Sequence, residues 1–336
     1  MTDADSVSDS GRPEDADSFR RRWTGIPDAV TQGLLLLAFL VVIAIFFTSR
    51  NPSFLTAGNA LNILSNASVI GIVSLGQVLT IISGGFDLSV SGTVPLGGVL
   101  FALLVNRGWS VGVALVVVLG AGAVCGLVNG LVVSLARINP LIATLGTASV
   151  TAGIALTLSG GVQIPFADPS SGVLADQPLF GVSNYVWILV GLSVVLFLVL
   201  RYTVFGRYLY AVGGNREAAR LGGIRVNGVT SSVYVISAAL ATLAGAVLAS
   251  QLFTGSGTAG TNSGLQSITA VILGGAALSG GVGGVPGTLI GVLILGTLTN
   301  GMAILSVPSF YQTITTGVVL LLAVGVSQLR TIRRQR

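Results

Sequence analysis

Of 336 residues, 52% are hydrophobic and only 8% are charged, where a soluble domain carries about 25% charged residues. A core of this length cannot hide so much apolar surface from water, and with a mean hydropathy of +0.91 the solvent must be lipid. The formal charge of +5 comes from sixteen arginines and no lysine, and there is no histidine and one cysteine, Cys125. These residue types exclude a Ser-His-Asp triad, imidazole or thiolate metal sites, a disulfide framework and a phosphate loop with its usual lysine. Most arginines stand at the ends of apolar runs, which reads as topology-setting charge and not as a nucleic-acid face, where basic groups cluster along a groove.

Seven of the eleven acids (Asp3, Asp5, Asp9, Glu14, Asp15, Asp17, Asp28) lie in residues 1–28, a polar stretch that reads as a disordered cytosolic tail. Arg20, Arg21 and Arg22 precede the apolar run from Gly33 to Phe47. No small-x-small cleavage site follows in Thr48 to Pro52, so the run reads as a retained first span and not as a signal peptide. Apolar runs of about 20 residues, the length that crosses a bilayer, then recur. Spans are predicted at residues 31–49, 66–84, 92–106, 110–135, 141–160, 184–202, 229–252, 265–282, 285–304 and 311–329. The fold class predicted is all-α, a polytopic transmembrane helical bundle of about ten spans. Gly-rich segments near 84–98 and 265–290 are expected to be broken or re-entrant.

The positive-inside rule puts three segments in the cytosol: the N-terminus, the loop with Arg201, Arg207, Arg216, Arg220 and Arg225, and a basic tail, residues 331–336. The loop from Gly161 to Asn184 carries Asp168 and Asp176 without a basic residue and suits the outside. An even span count satisfies all four placements. The chain also echoes itself: Ile82-Ser83-Gly84-Gly85 resembles Ile272-Leu273-Gly274-Gly275, Val94-Pro95 answers Val285-Pro286, and Asn129-Gly130 answers Asn300-Gly301. Such echoes mark a possible internal repeat of the kind that builds many transporters, although Gly-rich membrane segments also resemble one another by chance.

Within the cytosolic loop, Asn215 is a good N-cap, Glu217 complements a helix N-terminus and Gly222 can close a C-terminus. A two-turn helix over Asn215 to Leu221 is marginal alone in water and needs a surface to dock on. On physics alone a solvated topogenic loop remains open. The run Phe205-Gly206-Arg207 through Glu217-Ala218-Ala219-Arg220 and Gly222 resembles the coupling loop of ABC-importer permeases of the monosaccharide (ribose/xylose/galactose-type) branch. That resemblance implies a permease domain over 29–330 with a coupling loop at 203–226. It also implies that Arg207, Asn215, Arg216, Glu217, Ala218, Ala219, Arg220 and Gly222 face a separate ABC ATPase subunit.

Asp87 lies in Gly84-Gly85-Phe86-Asp87-Leu88-Ser89-Val90-Ser91-Gly92 after an apolar span. An acid at the bilayer centre costs about 2.5–3.5 kcal/mol on insertion scales, so it must face a polar cavity, a partner group or the interface. It can equally cap a helix starting near Ser89. The stretch resembles a signature of sugar-type permeases, with Phe86 and Ser91 departing from it. Gly126-Leu127-Val128-Asn129-Gly130, Pro140 to Thr147 and Leu278 to Gly283 resemble further blocks of the same family.

For the translocation pathway the polar candidates are Gln77, Asp87, Asn129, Thr144, Thr147 and Asn300. Polar side chains in membrane helices also serve simply to bond neighbouring helices. Phe310 and Tyr311 fit either stacking on a sugar ring or an interfacial aromatic belt. The resemblance implies an alternating-access importer subunit in the cytoplasmic (inner) membrane with both termini cytosolic. It has no cofactor or nucleotide-hydrolysing site of its own, and ATP is used by the partner. The implied partners are that ATPase, an extracytoplasmic solute-binding protein, a second permease copy, the sugar and the lipid bilayer, with no nucleic acid. The other readings are an ABC permease for branched-chain amino acids or nucleosides, and a secondary transporter.

Overall fold

The computed structural model describes residues 28–175 and 180–335. The acidic stretch before Asp28, the Arg20–Arg22 cluster, Asp176 and Arg336 lie outside the described residues. The helices are α1 (Asp28–Arg50), α2 (Ala57–Ile82), α3 (Val90–Asn106), α4 (Val111–Ser134), α5 (Pro140–Ser159) and α6 (Asn184–Tyr202). They continue with α7 (Val204–Gly214), α8 (Arg216–Leu221), α9 (Val226–Leu252), α10 (Ser263–Leu273), α11 (Val285–Ile304) and α12 (Ser309–Gln335). Among the described residues seven helices are long and apolar enough to cross a membrane, and α3, α10 and the Ser309–Gly325 part of α12 are shorter apolar helices. The protein is a polytopic helical bundle. A two-residue antiparallel ladder pairs β1 (Ile164–Pro165) with β2 (Thr254–Gly255).

Burial separates an inner pair from an outer ring. The apolar windows of α2 and α9 are 83% and 67% buried, against 6% to 28% for α1, α4, α5 and α6. The outer helices present Val116, Val124, Ile142 and Val195 outward, as expected where the solvent is hydrocarbon and leucine-like surface costs nothing. Packing onto α9 relies on small residues. Gly122, Gly126 and Gly130 form one stripe of α4, and a Cβ at Gly126 would sit 2.3 Å from the Tyr234 carbonyl oxygen. This is the small-xxx-small pattern that lets membrane helices approach backbone to backbone.

Two spans differ from the hydropathy reading. The run expected at 66–84 starts at Ala57, where Thr56 Oγ1 accepts from Asn59 N–H at 3.3 Å. Asn59, Asn62 and Asn66 recur once per turn in its first half, which lowers the mean hydropathy without breaking the helix. The run expected at 265–282 ends at Leu273, because Gly275, Gly280, Gly281 and Gly283 take positive φ and carry the chain through a loop. The first echo in the sequence therefore marks two helix breaks, Ser83–Ser89 after α2 and Gly274–Gly284 after α10. The Asn129-Gly130 echo falls in unlike settings, since Asn129 lies inside α4 against the first break and Asn300 lies near the far end of α11.

Alternation of the spans gives the bundle two faces. One holds the α4–α5 turn, α7, α8 and both breaks. The opposite face holds the α1–α2 turn, the loop from Gly160 to Ser183 and the β1–β2 ladder. In that loop Asp168 accepts from the Ser170 hydroxyl at 2.6 Å and from its amide at 2.8 Å. The Ser170 hydroxyl, and then its amide, hold the carboxyl below the usual carboxylate range.

Candidate functional site

The loop between α6 and α9 folds into two consecutive helices. Thr203 leaves α6 in an extended conformation and caps α7, its Oγ1 accepting from Gly206 N–H at 3.2 Å. Leu209 and Val212 are fully buried in one apolar cluster with Leu79 and Ile82 of α2, Val233 of α9 and Ile272 of α10. Gly213 sits where α7 meets both helix breaks. The Gly281 N–H donates to the Ile82 carbonyl at 2.9 Å, and a Cβ on Gly213 would stand 1.7 Å from that oxygen and 2.7 Å from that nitrogen. Tyr210 Oη donates to the Gly283 carbonyl at 2.8 Å. Burial pushes this phenol above its ordinary pKa, so it remains a donor through the neutral range.

The expected short helix is α8. Asn215 Oδ1 accepts from the amides of Glu217 at 3.0 Å and Ala218 at 2.9 Å, satisfying two of the free donors at a helix start. The left-handed residue that ends the helix is Gly223, at φ +81, and Gly222 precedes it in near-helical conformation. Arg216 Nη2 donates to Thr230 Oγ1 of α9 at 2.7 Å, and Ala219 is buried, so α8 is pinned at two points. Arg207, Asn215, Glu217, Ala218, Arg220 and Gly222 are exposed. Glu217 and Arg220 stand 3.5 Å apart along the exposed side. Leu221, which the sequence motif does not single out, is 82% exposed at the end of α8.

Behind α7, the break after α2 carries a buried polar network. Ser89 N–H donates to Asp87 Oδ1 at 3.0 Å, and the Ser89 hydroxyl donates to the same oxygen. The Asp87 carboxyl thus caps the start of α3, where the helix dipole favours an acidic group. Asn129 Nδ2 donates to Ser89 Oγ at 2.8 Å, and Thr147 Oγ1 donates to Asn129 Oδ1 at 2.6 Å. The Gln77 amide is oriented with Nε2 donating to the Asp87 carbonyl at 3.0 Å and Oε1 accepting from its N–H at 3.3 Å. Gln77, Asp87, Ser89 and Asn129 are fully buried. Asp87 Oδ2 and Ser237 Oγ are buried without a partner among the described residues.

The remaining candidates lie elsewhere. Thr144 is fully buried and its hydroxyl bonds back to the Pro140 carbonyl at 2.7 Å. Asn300 is at the opposite face, where its Oδ1 accepts from Asn59 Nδ2 at 3.0 Å. Phe310 and Tyr311 are 61% and 52% exposed, with their rings 4.6 Å apart. The structure thus joins Gln77, Asp87, Asn129 and Thr147 and leaves Thr144, Asn300, Phe310 and Tyr311 apart from them. Near Asn300 two cavities of about 420 and 330 Å³ adjoin, both lined by Asn66 and Gln251. The Asn59-Asn62-Asn66 spacing on α2 is the signal that could have located them.

A family model described as the permease component of branched-chain amino acid transport systems matches residues 59–324. The chain belongs to this permease family. The permease is 40% identical over 300 residues to the ribose import permease protein RbsC of Escherichia coli, covering 87% of this chain and 92% of the relative. To the ribose import permease protein RbsC of Bacillus subtilis it is 40% identical over 303 residues, covering 88% and 93%. To the L-arabinose transport system permease protein AraH of Escherichia coli it is 34% identical over 319 residues, covering 95% of each. No solved structure matches the permease. It is a multi-pass membrane subunit of an importer.

Proposed function

We propose that this permease is the membrane subunit of an ATP-driven monosaccharide importer of the cytoplasmic membrane. The observation that carries the mechanism is α8, a capped helix with Leu221 exposed at its end. It adjoins α7, whose Gly213 is seated against both helix breaks. A separate ATPase subunit docks on α8 through Leu221 and the exposed Glu217, Ala218 and Arg220. Nucleotide-driven movement of that subunit displaces α7, and α7 carries the displacement to the Ser83–Ser89 and Gly274–Gly284 loops. The bundle then switches between inward- and outward-open forms.

Two copies of the chain form the pathway, and a solute-binding protein delivers substrate at the face opposite α8. No hydrolysis takes place in this chain, which has no lysine to hold a nucleotide's β- and γ-phosphates. The sugar reading is supported by the ribose and arabinose permeases that the chain resembles along almost its full length. The test is uptake by the permease reconstituted with its ATPase and binding-protein subunits, offered labelled ribose, arabinose and leucine in parallel. ATP-dependent accumulation of a monosaccharide and none of leucine is expected. Leucine accumulation without sugar uptake would contradict the proposal.

A further inference from the structure

Membrane carboxamides fall here into two kinds, and the difference assigns a ligand site. Those of Gln77 and Asn129 are consumed within the protein: both amide atoms of each are engaged by neighbouring side chains or backbone. By contrast Asn62, Asn66, Asn262 and Gln266 make no side-chain hydrogen bond to another described residue, and all four line the adjoining cavities at the face opposite α8. Gln251, shared by both cavities, spends only its amide nitrogen, on the Ser65 carbonyl at 3.2 Å, and keeps its oxygen for the cavity. Five amides from α2, α9, α10 and the loop before α10 thus line an opening made of two cavities that share Asn66 and Gln251, with Asn62, Asn66 and Asn262 exposed and Gln251 and Gln266 half-buried.

The geometry points to this opening as a solute subsite for an uncharged polyhydroxylated ligand of monosaccharide size, a ligand class that rests on the sugar reading above. Three features select that ligand. Each cavity falls in the range of about 300–1,000 Å³ that holds small molecules. No acidic or basic side chain lines either one among the described residues, so the ammonium and carboxylate of an amino acid would enter without a countercharge, which is costly. A carboxamide gives both donor and acceptor, as a hydroxyl does, so a ring of them pairs with successive hydroxyls in either direction. The position suits a first contact with solute released at this face, before it reaches the buried network around Asp87.

The test uses the whole transporter in proteoliposomes, with ATPase and binding-protein subunits, and labelled ribose and arabinose as probes. Asn66→Ala and Gln266→Ala are made singly and together, beside Asn66→Gln, which keeps the amide. Each single alanine is expected to lower sugar uptake several-fold and the pair at least tenfold, with Asn66→Gln recovering part of the rate. Co-purification of the ATPase subunit and its ATP hydrolysis are expected to stay near wild type, which a packing defect would not allow. An assembled double variant with wild-type uptake overturns the subsite. If an alanine at 66 or 266 prevents assembly, Asn62→Ala, at an exposed position of α2, decides by the same criterion. Failure of the wild-type transporter to move either sugar overturns the monosaccharide reading and the ligand class with it, a result distinct from normal transport that survives the substitutions.

Discussion

Asp87 holds together the break after α2 by accepting from both the amide and the hydroxyl of Ser89. Asparagine at this position keeps an acceptor toward Ser89 and adds a donor on the side of Ser237, whose hydroxyl lacks a partner. Asp87→Asn is therefore expected to purify as a folded protein with thermal stability close to wild type. Asp87→Ala strands the Ser89 amide and costs about 1–3 kcal/mol, read as a lower Tm in detergent. Gly213→Ala places a methyl group against a backbone carbonyl that cannot move aside. It is expected to cost about 1–3 kcal/mol through overpacking and to abolish ATP-coupled uptake. At this scale the sequence names residue types but not their settings. Gln77, Asn129, Asn66 and Gln266 are all polar residues in apolar runs, yet the first two join a buried network and the last two stand open to a cavity. Only the partners supplied by other helices separate these cases, and a single sequence does not contain them.

Among the elements, α8 is the one whose form local sequence made most legible. Its cap, acidic second residue and terminal glycines are short-range chemistry that needs no tertiary context. What the motif could not show is which side faces out. Ala219 turns in and Arg216 is tied to Thr230, so the free surface reduces to Glu217, Ala218, Arg220 and Leu221. Leu221→Asp should leave the permease's own Tm unchanged, since an exposed substitution away from any packed feature shifts stability by only about 0.5 kcal/mol. The same variant is expected to lose co-purification with the ATPase subunit. Retention of the subunit at wild-type yield would remove Leu221 from the interface. The long outer helices were also legible, because lipid demands a continuous apolar run. The start of α2 and the end of α10 were not: an asparagine stripe at helical spacing and a glycine loop have a mean hydropathy that no longer reports where the helix is.

For the molecule as a whole, the links run from α8 through α7 and Gly213 to the two breaks, and from the first break through Ser89 and Asn129 to α4 and α5. The proposed solute cavities lie at the other end of α2, a helix of 26 residues and so about 39 Å long. In the proposed mechanism a movement begun at α8 crosses that length through packed helices, which have discrete arrangements and do not deform continuously. The low charge and the recurring long apolar runs made the polytopic helical architecture readable from composition, since the bilayer constrains length and polarity so strongly. The inner pairing of α2 with α9 was not readable, because every span is apolar and burial inside protein looks like burial in lipid.

The most direct measurement is sugar uptake by proteoliposomes holding the permease and binding protein, with and without the ATPase subunit, under ATP and under an imposed proton or sodium gradient. Uptake only when both the ATPase subunit and ATP are present is the predicted result, whatever the gradient. Gradient-driven uptake by the permease alone would contradict it.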